Sequence, residues 1–195
     1  WIELHGCDDP FALDPAEIGK RVADAGVVGL GGAAFPSAVK LIGASRAKVT
    51  TLVMNGGECE PYLSCDDRLM RDAAAGIVDG IRIMLHATGA KVALVGIEDN
   101  KPEAIVAMQA AASGFDAVQI RPVPARYPMG SEKQLIQVLT GIEVPADGRP
   151  ADIGVIVHNV GTALALRTAV REGKPLISRL LTVNGNCASQ PGNIE

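Results

Sequence analysis

The sequence predicts a layered α/β domain, with a mostly parallel sheet and helices on both faces. Two observations carry this. Short β-rich apolar runs alternate with helix-patterned stretches of ten or more residues, a spacing that requires crossover connections between parallel strands. Apolar residues also make up 48% of the 195 residues while aromatics make up 3%. The core must therefore be filled by Ala, Val, Ile and Leu, which suits closely packed layers.

Each element follows in order from local signals. Asp14 and Pro15 open a helix over 15–25, with Gly26 just past its end. The loop "GVVGLGG" follows, then a short helix with Pro36 in its first turn. "TTLVMN" (50–55) reads as a buried strand. Ser64 and Asp67 form a capping-box-like start to one long helix reaching Thr88. The alternation continues with a strand over 91–97, a helix over 102–112 and a strand over 116–123. A helix over 131–139, a strand over 153–159 and a helix over 161–172 complete it.

Composition removes several function classes. The net charge is −4, without a basic block or an aromatic-interleaved Lys/Arg stripe, so nucleic-acid binding is not expected. No apolar run reaches the roughly 18 residues of a membrane span, and the first residues lack a signal-peptide pattern. Cys7, Cys59, Cys65 and Cys187 have no CxxC spacing, so reduced thiols in the cytoplasm are expected and no metal site within the chain. Residues 1–14 read as a lead-in from a missing N-terminal region, 15–179 as the functional domain, and 180–195 as the start of a truncated C-terminal domain.

In a parallel sheet, ligands bind beyond the carboxyl ends of the strands. That rule selects "NGGECEP", "EDN", "PARYPMGSEK" and "HNVGT", all rich in Gly, Asn and Glu. The glycine loop (Gly29, Gly31, Gly32) permits close backbone approach to a ligand. The helix start after Pro36, with Lys40 a turn later, suits an anion or else is a tight turn with a solvated lysine. Glu58 and Glu60, beside Asn55 and two glycines, suit ribose hydroxyls or a carboxamide better than packing. Asp66 and Asp67 read as helix-start chemistry. Glu98 stands where nucleotide folds place a ribose-binding acid, with helix capping by its neighbours as the competing role. Gly130, Ser131 and Glu132 begin one helix, and Asn159 and Thr162 begin another; both groups fit ligand contact or plain capping. His158 reads as a polar strand-end residue. No Ser/His/Asp or Cys/His arrangement is visible, so hydrolase chemistry has no support.

Five motifs occur in a familiar order: "GVVGLGGAAFPSAVKL" (26–41), "NGGECEPYLSCDDRLMR" (55–71), "GIEDNKPEA" (96–104), "YPMGSEKQLIQVLTG" (127–141) and "NVGTALA" (159–165). In this they resemble the C subunit of the Rnf electron-transport complex, itself similar to the NADH-binding flavoprotein subunit of respiratory complex I. The likeness runs from about residue 15 to 185. It implies a Rossmann-like domain that holds FMN, receives NAD(H) in a shared cavity and exchanges hydride between them, with no side-chain acid or base required. It also implies cofactor contacts at Gly29, Gly31, Gly32 and Lys40, and an adenine-facing ring at Phe35. Asn55, Glu58 and Glu60 would line flavin and nicotinamide, Gly130, Ser131 and Glu132 would meet flavin and ribose, and Asn159 and Thr162 would hold the ribityl phosphate end. The 4Fe-4S clusters of whole proteins of this type are expected only outside this chain. The implied partners are the other Rnf subunits, including the ferredoxin-like B subunit and the membrane subunits, at the cytoplasmic side of the bacterial inner membrane. Ala34 and Leu30 stand where complex I subunits carry Gly and Arg, and Gly57 stands in place of an acid. A related cobalamin reductase flavoprotein and a flavin-free assembly scaffold are the competing readings.

Overall fold

A computed structural model describes residues 3–195; Trp1 and Ile2 of the expected lead-in lie outside the described residues. Four parallel strands form the main sheet: β1 (Thr51–Gly56), β2 (Val92–Glu98), β3 (Val118–Val123) and β4 (Val155–Asn159). Their order is β3-β2-β1-β4. The chain thus moves outward in one direction through β1, β2 and β3, then crosses back to add β4 on the other side of β1. Strand order reverses between β1 and β4, and at that switch point Asn55 and Asn159 are register partners.

Helices cover both faces, as the sequence predicts. α1 (Pro15–Asp24), α2 (Ser37–Arg46), α3 (Cys65–Asp72), α4 (Ala74–Thr88), α5 (Pro102–Ala112) and α7 (Val160–Glu172) surround the larger core, which includes Leu52, Met54, Ile81, Val95 and Leu166. α6 (Glu132–Thr140) covers a smaller core of Val53, Val123, Leu135, Ile136, Val155 and Val157 on the other face. Gly96 on β2 lets α6 settle close, since a Cβ there would lie 2.7 Å from Leu135.

Local signals account for most boundaries. The Asp14 side chain accepts from Ala16 N at 2.8 Å to start α1, and Gly26 follows the helix at φ +66°. Pro36 occupies the N-cap of α2, one residue earlier than the first-turn position expected.

The helix expected over 64–88 is two helices. The break falls at Ala73 (φ −126°, ψ 24°). Gly76 and Gly80 draw α4 tightly against α7, while α3 packs chiefly against α5. Ser64 does not cap α3 either: its hydroxyl is 3.2 Å from Asn193 Oδ1.

The terminal segments pack onto this body. Cys7 N donates to Arg171 O at 3.1 Å, and the Phe11 ring lies 4.8 Å from the Arg82 guanidinium carbon. β5 (Leu181–Val183) and β6 (Gly192–Ile194) form an antiparallel hairpin. Thr182 Oγ1 accepts from Ser64 N at 3.0 Å, and Asn184 Nδ2 donates to Tyr62 O at 3.2 Å.

Candidate functional site

The glycine loop is a closed excursion pinned at its base. Gly29 N donates to Phe35 O at 2.8 Å, Ser37 N donates to Val27 O at 3.0 Å, and Val28 bridges to Pro36. Both polar groups of the Leu30 backbone are held from distant segments. Its N–H donates to Thr162 Oγ1 on α7 at 2.9 Å, and its carbonyl accepts from the Arg179 guanidinium at 2.9 Å. Gly31 rests against Asn159, where a Cβ would come within 3.2 Å of the asparagine Cβ. The loop is thereby fixed over the ends of β1 and β4. Ala34 adopts φ +50° within it, at a cost of about 1 kcal/mol for a residue with a Cβ.

Beneath the loop lies a cleft with two chambers that share Gly31, Asn55, Gly130 and Asn159. The first, about 240 Å³, lies beside β4 and is also lined by Gly29, Phe35, Ser37, Lys40, Glu132, His158 and Thr162. The second, about 510 Å³, is also lined by Gly32, Glu58, Glu60, Asp66, Ser131 and Arg179. Thirteen of the fourteen site residues expected from the sequence line one or both chambers. Glu98 lines neither; it is buried at the end of β2, where burial raises its carboxyl above the usual range.

Many of these residues bond to the protein itself. Asn55 Nδ2 donates to Gly130 O at 2.8 Å and its Oδ1 accepts from Gly57 N at 2.9 Å, tying the exits of β1 and β3 together. Gly57 and Gly130 meet so closely that a Cβ on either would crowd the other's backbone, which explains why an acid is absent at position 57. Asn159 Oδ1 caps α7 by accepting from Gly161 N at 2.8 Å, and its Nδ2 donates to Asp66 Oδ2 at 2.6 Å. Lys40 Nζ donates to Val157 O on the outer edge of β4 at 2.9 Å and lies 3.5 Å from Glu132 Oε2.

The two glutamates of "ECE" part company. Glu60 is exposed. Glu58 is buried and takes the capping role expected of Ser64: its carboxylate accepts from Asp66 N at 2.9 Å and from Asp67 N at 3.2 Å. Lys101 Nζ pairs with it at 3.2 Å, and the Cys65 thiol donates to it at 3.3 Å. Position 58 thus supports the fold and is not the exposed loop site that its sequence neighbours suggest.

Sequence reasoning did not place four wall residues in the cleft. Asp66 reads as plain helix-start chemistry, yet it is enclosed. Burial, then the nearby Glu58 charge, pushes its carboxyl up to about 6. Ser37 and His158 are buried, and Ser37 Oγ and His158 Nε2 have no hydrogen-bond partner. Burial, then the Lys40 charge, lowers the His158 pKa to about 3, so its imidazole is neutral. Arg179 carries no sequence signal for the cleft, because it lies 149 residues from its partner Leu30. For Ser37, its place directly after Phe-Pro at a helix start was the available clue.

Comparisons with known proteins agree with this architecture. A family model described as the Nuo51 FMN-binding domain matches residues 22–168. The C subunit of an ion-translocating oxidoreductase complex from Pseudomonas aeruginosa is 51% identical over 195 residues, covering 100% of this chain and 25% of its own length. A protein of the same name from Salmonella gallinarum is 48% identical over 194 residues, covering 100% of this chain and 29% of its own. The chain therefore spans between 25% and 29% of the length of these relatives. The crystal structure of an NAD+-reducing [NiFe]-hydrogenase in the H2-reduced state matches with a TM-score of 0.70 and 28% identity, over 82% of this chain and 31% of that one. The resemblance carried by the five motifs is borne out.

Proposed function

The chain belongs to the Nuo51 FMN-binding domain family, and from that premise we propose that it is the flavin-binding core of an Rnf-type ion-translocating oxidoreductase subunit. In this reading FMN and NAD(H) share the two-chambered cleft. Electrons leave singly to iron–sulfur clusters outside the chain, toward the ferredoxin-like and membrane subunits at the cytoplasmic face of the inner membrane. Among the described residues, no helix is long and apolar enough to cross a membrane.

The residues present fit FMN. The observation that supports this most is the convergence, at one strand-order switch point, of a glycine-rich loop, a lysine and two buried polar groups without partners. Bound flavin supplies the hydride acceptor for reduced nicotinamide. The chain's own residues position and enclose. Gly29 and Gly31 present backbone without a side-chain barrier, and Lys40 supplies positive charge. Phe35, 46% exposed at the rim of the first chamber, offers a ring face to an adenine. Glu60, with no cap to make, is the carboxylate free to accept from ribose hydroxyls, while Glu58, Asn55 and Asn159 hold the walls. Between them, Gly130, Ser131 and Glu132 border both chambers at the start of α6.

Titrating FMN into the purified chain while following flavin fluorescence tests this reading. Saturable quenching in the micromolar range is the expected result. No binding at millimolar flavin would overturn it and leave an assembly role.

A further inference from the structure

Residues 176–194 lie outside the span matched by the Nuo51 model, yet they bond to both walls of the second chamber. On the glycine-loop wall, the Arg179 guanidinium donates to Leu30 O at 2.9 Å. On the opposite wall, Thr182 Oγ1 accepts from Ser64 N at 3.0 Å and Asn193 Nδ2 donates to Ser64 O at 3.3 Å. Asn184 Nδ2 donates to Tyr62 O there at 3.2 Å. Among the described residues, no hydrogen bond joins 29–35 directly to 60–64. The link between the walls at this end runs through the later segment.

That segment is built to resist stretching. Thr182 and Asn193 are register partners across the hairpin, and their side chains bond to each other at 2.9 Å as well as to Ser64. Three residues separate Arg179 from Thr182, so the chain between the two attachments reaches at most about 11 Å. Leu176 N donates to Ala25 O at 2.9 Å and anchors the segment at the end of α1. Both walls also hold backbone that needs outside support. Of three non-glycine residues at positive φ among those described, Ala34 (φ +50°) lies in the glycine loop and Tyr62 (φ +71°) in the opposite one. Such conformations persist where surrounding contacts over-determine them. Asn184 bonds Tyr62 itself, and Arg179 and Thr162 supply the hydrogen bonds that reach the glycine loop at Leu30.

We propose that residues 179–184, with Asn193, form a brace that sets the spacing of the two cleft walls, and that Arg179 is its positioning residue for flavin binding. This rests on the flavin-binding reading above. Arg179 acts through Leu30: it holds the carbonyl, and thereby the backbone that faces the cleft. Thr162 fixes the same residue from α7 by its N–H, so the two bonds together set the tilt of the loop. A brace works as a unit. Releasing either end frees both walls, and releasing the second end then adds little.

The test is a double-mutant cycle on the purified chain, read by FMN fluorescence quenching and by amide hydrogen exchange without ligand. Arg179→Ala cuts one end of the brace. Thr182→Val, Asn184→Ala and Asn193→Ala together cut the other. Each cut is expected to weaken FMN binding about fivefold, the loss of one ordinary hydrogen bond. Each is also expected to speed exchange at Gly29 and Leu30 by a similar factor, although the hairpin changes never touch that loop. Both cuts together should stay within about twofold of either alone, and Arg179→Lys, which keeps a donor, should restore most of the affinity. Losses that multiply to about 25-fold would overturn the brace. So would unchanged exchange at Gly29 and Leu30 in the hairpin variant, or a lysine that rescues nothing. Failure of the unmutated chain to bind FMN is a different result: it removes the flavin reading, and the exchange rates still decide the brace.

Discussion

The two chambers of the cleft share a floor and are built to opposite rules. In the acidic chamber the polar side chains are largely committed to the protein: Glu58 caps α3 and pairs with Lys101, Asp66 accepts from Asn159, and Arg179 holds Leu30. In the chamber beside β4, Ser37 and His158 have unused polar atoms. A satisfied polar wall is architecture that a ligand finds already formed. An unsatisfied one carries a desolvation cost that the fold itself leaves uncompensated. Residue type does not separate the two cases, since Glu58 and Glu60 stand two residues apart and fall on different sides of the distinction.

That contrast breaks most sharply at Glu58. Glu58→Ala removes two cap bonds and leaves Lys101 facing a void, so a loss of about 3 kcal/mol in urea unfolding is expected. Glu60→Ala, in the exposed part of the same loop, is expected to change stability by less than about 0.5 kcal/mol. Similar values for the two would erase the difference between wall and ligand contact.

Asp66 gives a smaller effect with a pH signature. Its carboxyl titrates at about 6 in the folded chain against 3.8 for an ordinary aspartate, so the folded state holds its proton more tightly than the unfolded state. Stability therefore falls as pH rises from about 3.8 through 6 and stays lowered above that. Discounted for its residual accessibility, the penalty at pH 7 is on the order of 2 kcal/mol. Asp66→Asn is expected to recover about that amount at pH 7.5 and almost nothing near pH 4, in paired unfolding curves. A benefit that grows toward low pH would mean that Asp66 is stabilised as an anion in the fold.

The smallest effect belongs to the other chamber. Without ligand, Ser37→Ala removes a hydroxyl that bonds to nothing, so stability should stay level or rise by up to about 1 kcal/mol. A clear loss in thermal unfolding would reveal a partner for Ser37 and erase the contrast between the two chambers.

The residues that line the cleft were legible because glycines, asparagines and acids at strand ends are local signals, and the parallel sheet carries the strand exits to one side. Glu98 has the same signal but leads elsewhere. The exit of β3 reaches back past β2 to bond Asn55, so the loop after β2 is left outside the cleft. His158 reads as a polar strand end until its burial is seen.

The sequence by itself determined most of the elements and the side of the sheet on which the cleft opens. Periodicity, helix caps and turn residues act between neighbours in the chain, and no distant partner is needed to read them. Only the tertiary structure decided which polar atoms remain free. Leu30 meets Thr162 across 132 positions, Asn55 meets Gly130 across 75, and Glu58 meets Lys101 across 43. Whether a buried donor or acceptor is satisfied depends on what folding brings within about 3 Å of it, and nothing in local sequence encodes that distance.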